Sequence, residues 1–139
     1  MTTTGKTKSI LVVDDEQDVR AYLSRLLQEH GYAVTCAADG NEAMRAVEKE
    51  APDLITLDLS MPKMSGVRFY RDIKAAPSFK RIPVIFVTAV SGPGGNAADA
   101  KRFYSTRRQV PPPDGFIAKP IDPEETLDLI QELLGMMSS

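Results

Sequence analysis

Four consecutive apolar residues, Ile10 to Val13, open the patterned part of the chain after the polar stretch Met1 to Lys8. A continuous apolar run of this kind predicts a short strand covered on both faces. From Glu16 to His30 the period changes. Val19, Tyr22, Leu23, Leu26 and Leu27 recur at helical spacing, and Gly31 stands where a left-handed residue would end the helix. The same grammar then repeats: a strand over Ala33 to Ala37, a helix over Asn41 to Glu50 with Ala43, Met44 and Val47 inward, and Pro52 as a break before a strand at Leu54 to Leu57. A helix follows over about Gly66 to Ala75, burying Val67, Tyr70 and Ile73. Pro83 introduces the strand Val84 to Thr88, and Phe116 to Ala118 forms the last strand. In the final helix Asp122 can act as cap, Pro123 suits the first position and Glu125 can complete a capping box. Leu127, Ile130, Leu133 and Leu134 form its stripe.

Strands alternating with helices predict an α/β fold, a parallel sheet covered on both faces and joined by right-handed crossovers. With 139 residues and a hydrophobic share of 42%, the chain closes one ordinary core. We expect a tail over 1–8, one domain over 9–135 and a short tail over 136–139. The segment that departs from the grammar is AVSGPGGNAADAKRFYSTRRQVPPPDG, after Thr88. Its glycines and prolines predict extended loops on each side of a helix somewhere within Ala97 to Gln109. There Lys101, Arg102, Arg107 and Arg108 interleave with Phe103 and Tyr104, which raises an acidic partner or nucleic acid as one reading. A solvated helix face with two aromatics packed on the sheet is the preferred one.

Charge and cysteine usage narrow the classes. The net charge of -2 gives no general reason to expect nucleic acid or a membrane surface as partner. The apolar run at Ile10 to Val13 is too short for a signal peptide or a span. Cys36 is the single cysteine, so no internal disulfide forms, and its place in the apolar stretch Ala33 to Ala37 predicts a buried structural thiol. A reducing, cytoplasmic setting follows.

Ligands of open parallel sheets gather at the carboxyl ends of the strands. Here the first strand ends in Asp14 and Asp15, the third in Asp58, the fourth in Thr88 and the fifth in Lys119. Each alone has an ordinary explanation, as a helix-terminal acid, a turn cap or a solvated strand end. All five on one edge do not. Three carboxylates that meet repel one another unless a cation neutralises them. Oxygen ligands with room for water and a phosphate oxygen suit magnesium, or manganese, better than zinc. Lys119 and Thr88 add a positive charge and a hydroxyl that can hold a phosphoryl group.

The stretches LVVDDEQDVR, LDLSMPKMSG, VIFVTA and FIAKP resemble, in order and spacing, the receiver domain of bacterial two-component response regulators, the chemotaxis receiver among them. The likeness runs from about Lys8 to Leu134. It implies a doubly wound, flavodoxin-like (βα)5 fold with strand order 2-1-3-4-5, the order that the chemotaxis receiver typifies. It implies that Asp58 is the phosphoacceptor, that Asp15, Asp58 and the backbone carbonyl of Ser60 hold Mg2+ (or Mn2+), and that Asp14 helps through water. Lys119 would pair with the phosphoryl group, Thr88 would turn toward it, and Phe116 would be the switch aromatic. The peptide before Pro120 is expected to be cis. Ser60 and Val90 occupy positions that tune phosphate lifetime in the family. The partners implied are a histidine kinase or phosphotransfer protein and an unidentified downstream protein, with the chain a monomer or a phosphorylation-dependent dimer. Because only Gly135 to Ser139 follow Leu134, the chain reads as a stand-alone regulator or a piece of a larger one.

Three other readings compete. A Mg2+-dependent phosphatase or phosphotransferase with Asp58 as nucleophile ordinarily wants a second acid soon after it, where Leu59 and Ser60 stand. A nucleotide or flavin binder ordinarily has a glycine-rich first turn, where this chain has DDEQD. A scaffold pseudo-receiver ordinarily lacks part of the five-residue set, which is complete here.

Overall fold

The computed structural model describes residues 7–59, 65–89 and 112–137. Five strands, β1 (Ser9–Val13), β2 (Ala33–Ala37), β3 (Leu54–Asp58), β4 (Val84–Ala89) and β5 (Gly115–Lys119), form one sheet in the order β2-β1-β3-β4-β5. Every pairing is parallel. The described helices are α1 (Gln17–Glu29), α2 (Gly40–Lys49), α3 (Ser65–Ala75) and α4 (Pro123–Met137). Strand order and alternation match the expectation. The helix expected within Ala97 to Gln109, the basic residues in it, Met61, Pro62 and Val90 lie outside the described residues.

Side chains alternate across a strand with period two, and the core divides accordingly. Leu11, Val13, Ile55, Leu57, Val84 and Phe86 form one cluster with Ala43 and Val47 of α2 and Phe69, Tyr70 and Ile73 of α3. Ile10, Val12, Leu54, Ile85, Val87 and Ile117 form the other, with Leu23 and Leu27 of α1 and Ile130 and Leu134 of α4. This is why the central strands read as unbroken apolar runs: both faces are covered. The edge strand β2 is different. Cys36, expected to be buried, is exposed there, because a border strand has a pairing neighbour on one side alone. Its sulfur is still partly desolvated, which pushes the thiol pKa up against the opposing influence of Arg20 and a hydrogen bond with Ser24.

Two carboxylates clip the ends of the strands remote from the predicted site. Asp53 accepts from Ser9 N at 2.8 Å, and Asp114 accepts from Val84 N at 2.9 Å. Backbone bonds return in both cases, Asp53 N to Ser9 O at 2.8 Å and Asp114 N to Val84 O at 2.9 Å. These clips tie neighbouring strands in register at one end, so the residues at the opposite ends stay aligned. Asp39 caps α2 by accepting from Glu42 N at 2.8 Å, while Glu42 reaches back to Ala38 N at 2.7 Å.

Helix α1 ends in a Schellman turn, with Gly31 N donating to Gln28 O and Tyr32 N to Leu27 O, both at 3.1 Å. Gly31 has φ of +91° and nothing within 4 Å of where a Cβ would sit. Substitution there meets backbone strain and no clash. Gly31→Ala is expected to lower stability by about 1 kcal/mol and Gly31→Asn by less, because asparagine tolerates this backbone region better. Urea melts of the two variants beside wild type check the order.

Candidate functional site

The carboxyl ends of β1, β3, β4 and β5 converge as parallel pairing requires. Asp58 is in register with Val87, Thr88 with Ala118 and Ala89 with Lys119, and Asp14 continues the β1 ladder by donating its N–H to Ala37 O at 3.1 Å. All of β3 is buried, and Asp58 at its end is only 1% exposed. A carboxylate so placed needs a partner. Lys119 Nζ is 3.5 Å from Asp58 Oδ2, 3.3 Å from Asp14 Oδ2 and 2.9 Å from Glu16 Oε1. The Lys119–Pro120 peptide is cis, as expected.

Carboxylate oxygens of Asp14, Glu16 and Asp58 lie within 4.8 Å of one another. Three acids against one ammonium leave two negative charges uncompensated. Asp14 registers the imbalance: burial raises its pKa above the ordinary carboxylate value and nearby Asp58 adds to the rise, against the Glu16 N–H and the Lys119 charge. For Lys119, burial acts to lower the pKa. The hydrogen bond to Glu16 and the charges of Asp58 and Asp14 outweigh it, holding the ammonium above its usual value. The backbone around Asp14 is fixed from two sides, by Glu16 N donating to Asp14 Oδ1 at 2.9 Å and by Arg20 Nη1 donating to the Asp14 carbonyl at 2.8 Å. Closely set hard oxygens with excess negative charge fit a divalent cation such as Mg2+.

The structure thus gathers Asp14, Asp58 and Lys119, and it sets Thr88, buried, at the same edge. Asp15 is exposed and lies outside the group of three acids. Ser60 lies outside the described residues. Phe116 is 46% exposed, and its ring meets that of buried Phe86 edge-on at 5.9 Å, with Tyr70 meeting Phe86 in turn at 4.8 Å. Glu16 is the site residue that sequence reasoning missed. Its signal was an acid directly after Asp14 and Asp15, at a position read only as the start of a helix.

The family model described as "Response regulator receiver domain" matches residues 10–131. The chain belongs to the response regulator receiver family. It is 33% identical over 126 residues to protein Rrf1 of Nitratidesulfovibrio vulgaris, covering 91% of this chain and 82% of Rrf1. It spans only about half, 52%, of the longer Synechocystis response regulator Rre1, to which it is 32% identical over 91% of its own length. Among solved structures, the signal receiver domain of a signal transduction histidine kinase from Syntrophus aciditrophicus superposes with a TM-score of 0.78 at 30% identity, covering 95% of this chain and 93% of that one. A receiver domain is a phosphoacceptor signalling switch of two-component systems. No described helix is long and apolar enough to cross a membrane.

The raised pKa of Asp14 has a measurable sign. Since the folded state binds the Asp14 proton more tightly than the unfolded chain, lowering the pH through the raised value stabilises the metal-free receiver, and the gain is complete below the unfolded value. At high pH it is absent. Asp14→Asn is expected to flatten this slope in urea melts run in chelator from about pH 8 down to about pH 4, and to weaken Mg2+ binding measured by calorimetry.

Proposed function

We propose that Asp58 of this receiver takes a phosphoryl group from a histidine kinase or phosphotransfer protein in a Mg2+-dependent reaction, and that the charge so added changes the surface offered to a downstream protein. The observation that carries this reading is Asp58 itself, a carboxylate buried to 1% exposure at a strand end, with the Lys119 ammonium 3.5 Å away. Burying an acid beside two others destabilises a fold unless cations compensate it, and Lys119 compensates only one of the three.

The family likeness gives the metal ion to Asp15, Asp58 and the Ser60 carbonyl, with Asp14 acting through water; of the acids, Asp14 and Asp58 already stand together, and the exposed Asp15 carboxylate would have to turn in toward them. Bound there, Mg2+ supplies charge neutralisation between an anionic nucleophile and an anionic donor. The remaining work falls to the chain. Asp58 presents an oxygen for in-line attack. Lys119 balances charge on the peripheral phosphoryl oxygens, and Asp14 keeps the ammonium close. The product carries roughly -1.5 to -2 charges, as phosphorylated side chains do. Thr88 at the end of β4 can donate to it, and Phe116 on the neighbouring strand, half exposed and resting edge-on against Phe86, can turn inward as Thr88 moves. The face around β5 and α4 then differs between the two states.

Incubation with acetyl phosphate and Mg2+ is expected to add one phosphoryl mass to the wild type, and none to Asp58→Asn or to wild type in chelator. Intact-mass spectrometry reads all three, and a phosphorylated Asp58→Asn would discard the assignment. Asp15→Asn is expected to cut Mg2+ affinity by about tenfold or more, by calorimetric titration. Amide exchange with and without phosphate tests the surface change, which fails if β5 and α4 exchange identically in both states.

A further inference from the structure

The phosphoacceptor reading leaves Glu16 without a task. It is the N-cap residue of α1, with an extended backbone at φ -94° and ψ 118°. Side-chain oxygens at that position ordinarily accept from the N–H groups of the first turn. The Glu16 carboxylate makes no such bond. It reaches instead across the sheet edge, where Oε1 accepts from Lys119 Nζ at 2.9 Å, closer than the ammonium approaches Asp14 or Asp58. Its backbone is fastened on both sides, N–H to Asp14 Oδ1 at 2.9 Å and carbonyl to Arg20 N at 3.1 Å. The side chain is 61% exposed, whereas those of Asp14 and Asp58 are at 2% and 1%. Glu16 thus overhangs the buried pair from the solvent side, holding their counter-charge.

We propose that Glu16 is a positioning residue that restrains the Lys119 ammonium in the unphosphorylated site and slows acceptance of a phosphoryl group from anionic donors. This rests on the phosphoacceptor reading above. With acetyl phosphate, an Asp58 oxygen attacks phosphorus, the new O–P bond forms as the anhydride O–P bond breaks, and acetate leaves with the bonding pair. No proton changes place. The peripheral oxygens carry their charge throughout and need the Lys119 hydrogens. An ammonium has three, and in the resting site one is directed at Glu16. Loosening that contact frees this hydrogen for the donor's oxygens, and the exposed position of Glu16 leaves its carboxylate room to swing into water.

Two substitutions separate the contact from the charge. Glu16→Gln keeps an acceptor and removes the charge. Glu16→Asp keeps the charge on an arm one methylene shorter, too short for the Lys119 contact. Time courses of phosphorylation by acetyl phosphate with saturating Mg2+, followed by intact mass at low and high salt, are expected to run about two- to fivefold faster than wild type for both variants at low salt. Urea midpoints should fall by no more than the loss of one exposed ion pair implies, the Asp variant should keep the wild-type salt dependence and the Gln variant should not. A wild-type rate in Glu16→Asp, which lacks the contact, overturns the proposal, because it leaves the contact no role. Slower phosphorylation together with weaker calorimetric Mg2+ binding also overturns it, by making Glu16 a metal ligand. If wild type takes up no phosphoryl group, or Asp58→Asn does, the phosphoacceptor reading fails instead.

Discussion

Lys119 holds the functional edge together. Its ammonium sits within 3.5 Å of carboxylate oxygens from three residues, two of them buried, and without it Asp14 and Asp58 would face each other across a medium that screens charge poorly. The lysine reaches them because β5 pairs with β4 in a register that sets Ile117 level with Asp58 and Lys119 two residues beyond, from where its long side chain turns back over the ends of β3 and β1. One cation among three acids is a deliberate shortfall. The two charges left over match a divalent ion, and they also mean that the resting site is electrostatically strained until something positive arrives.

That strain is offset by the packing and strand-end bonds of the described residues around it. The apolar positions of β1, β3 and β4 pack against helices on both faces, and the ends of the strands away from the site are locked by Asp53 and Asp114. Rigid register at one end is what allows irregular, charged ends to meet at the other. The proposed switch has the same need: Phe116 would report a local charge only if the strand beneath it does not yield. Phe86 supplies that floor, buried between Tyr70 and Phe116.

The proteins this chain resembles differ in length. The chain matches almost all of itself to Rrf1 and to a receiver within a histidine kinase, and only about half of Rre1. The receiver is thus a unit used in several settings. At the site of this chain Glu16 gives the ammonium a third partner at the solvent side of the buried acids.

Much of this was legible before any coordinates. Apolar runs at Ile10 to Val13 and Leu54 to Leu57 could only be strands covered twice, the stripe of α1 ended at a glycine that does adopt positive φ, and the residues Asp14, Asp58, Thr88 and Lys119 fell on one edge once the sheet was parallel. Those conclusions follow from period and topology, which sequence carries directly. Tertiary structure decided what depends on distance and on neighbours. Cys36 looked buried because its run is apolar, yet β2 lies at the border of the sheet. Asp15 was expected at the metal and Glu16 only at the start of a helix, yet the path of the chain into α1 turns Glu16 onto Lys119 and leaves Asp15 outside the cluster. Linear order names the charges. Which ones share a cation is settled by where the backbone aims them.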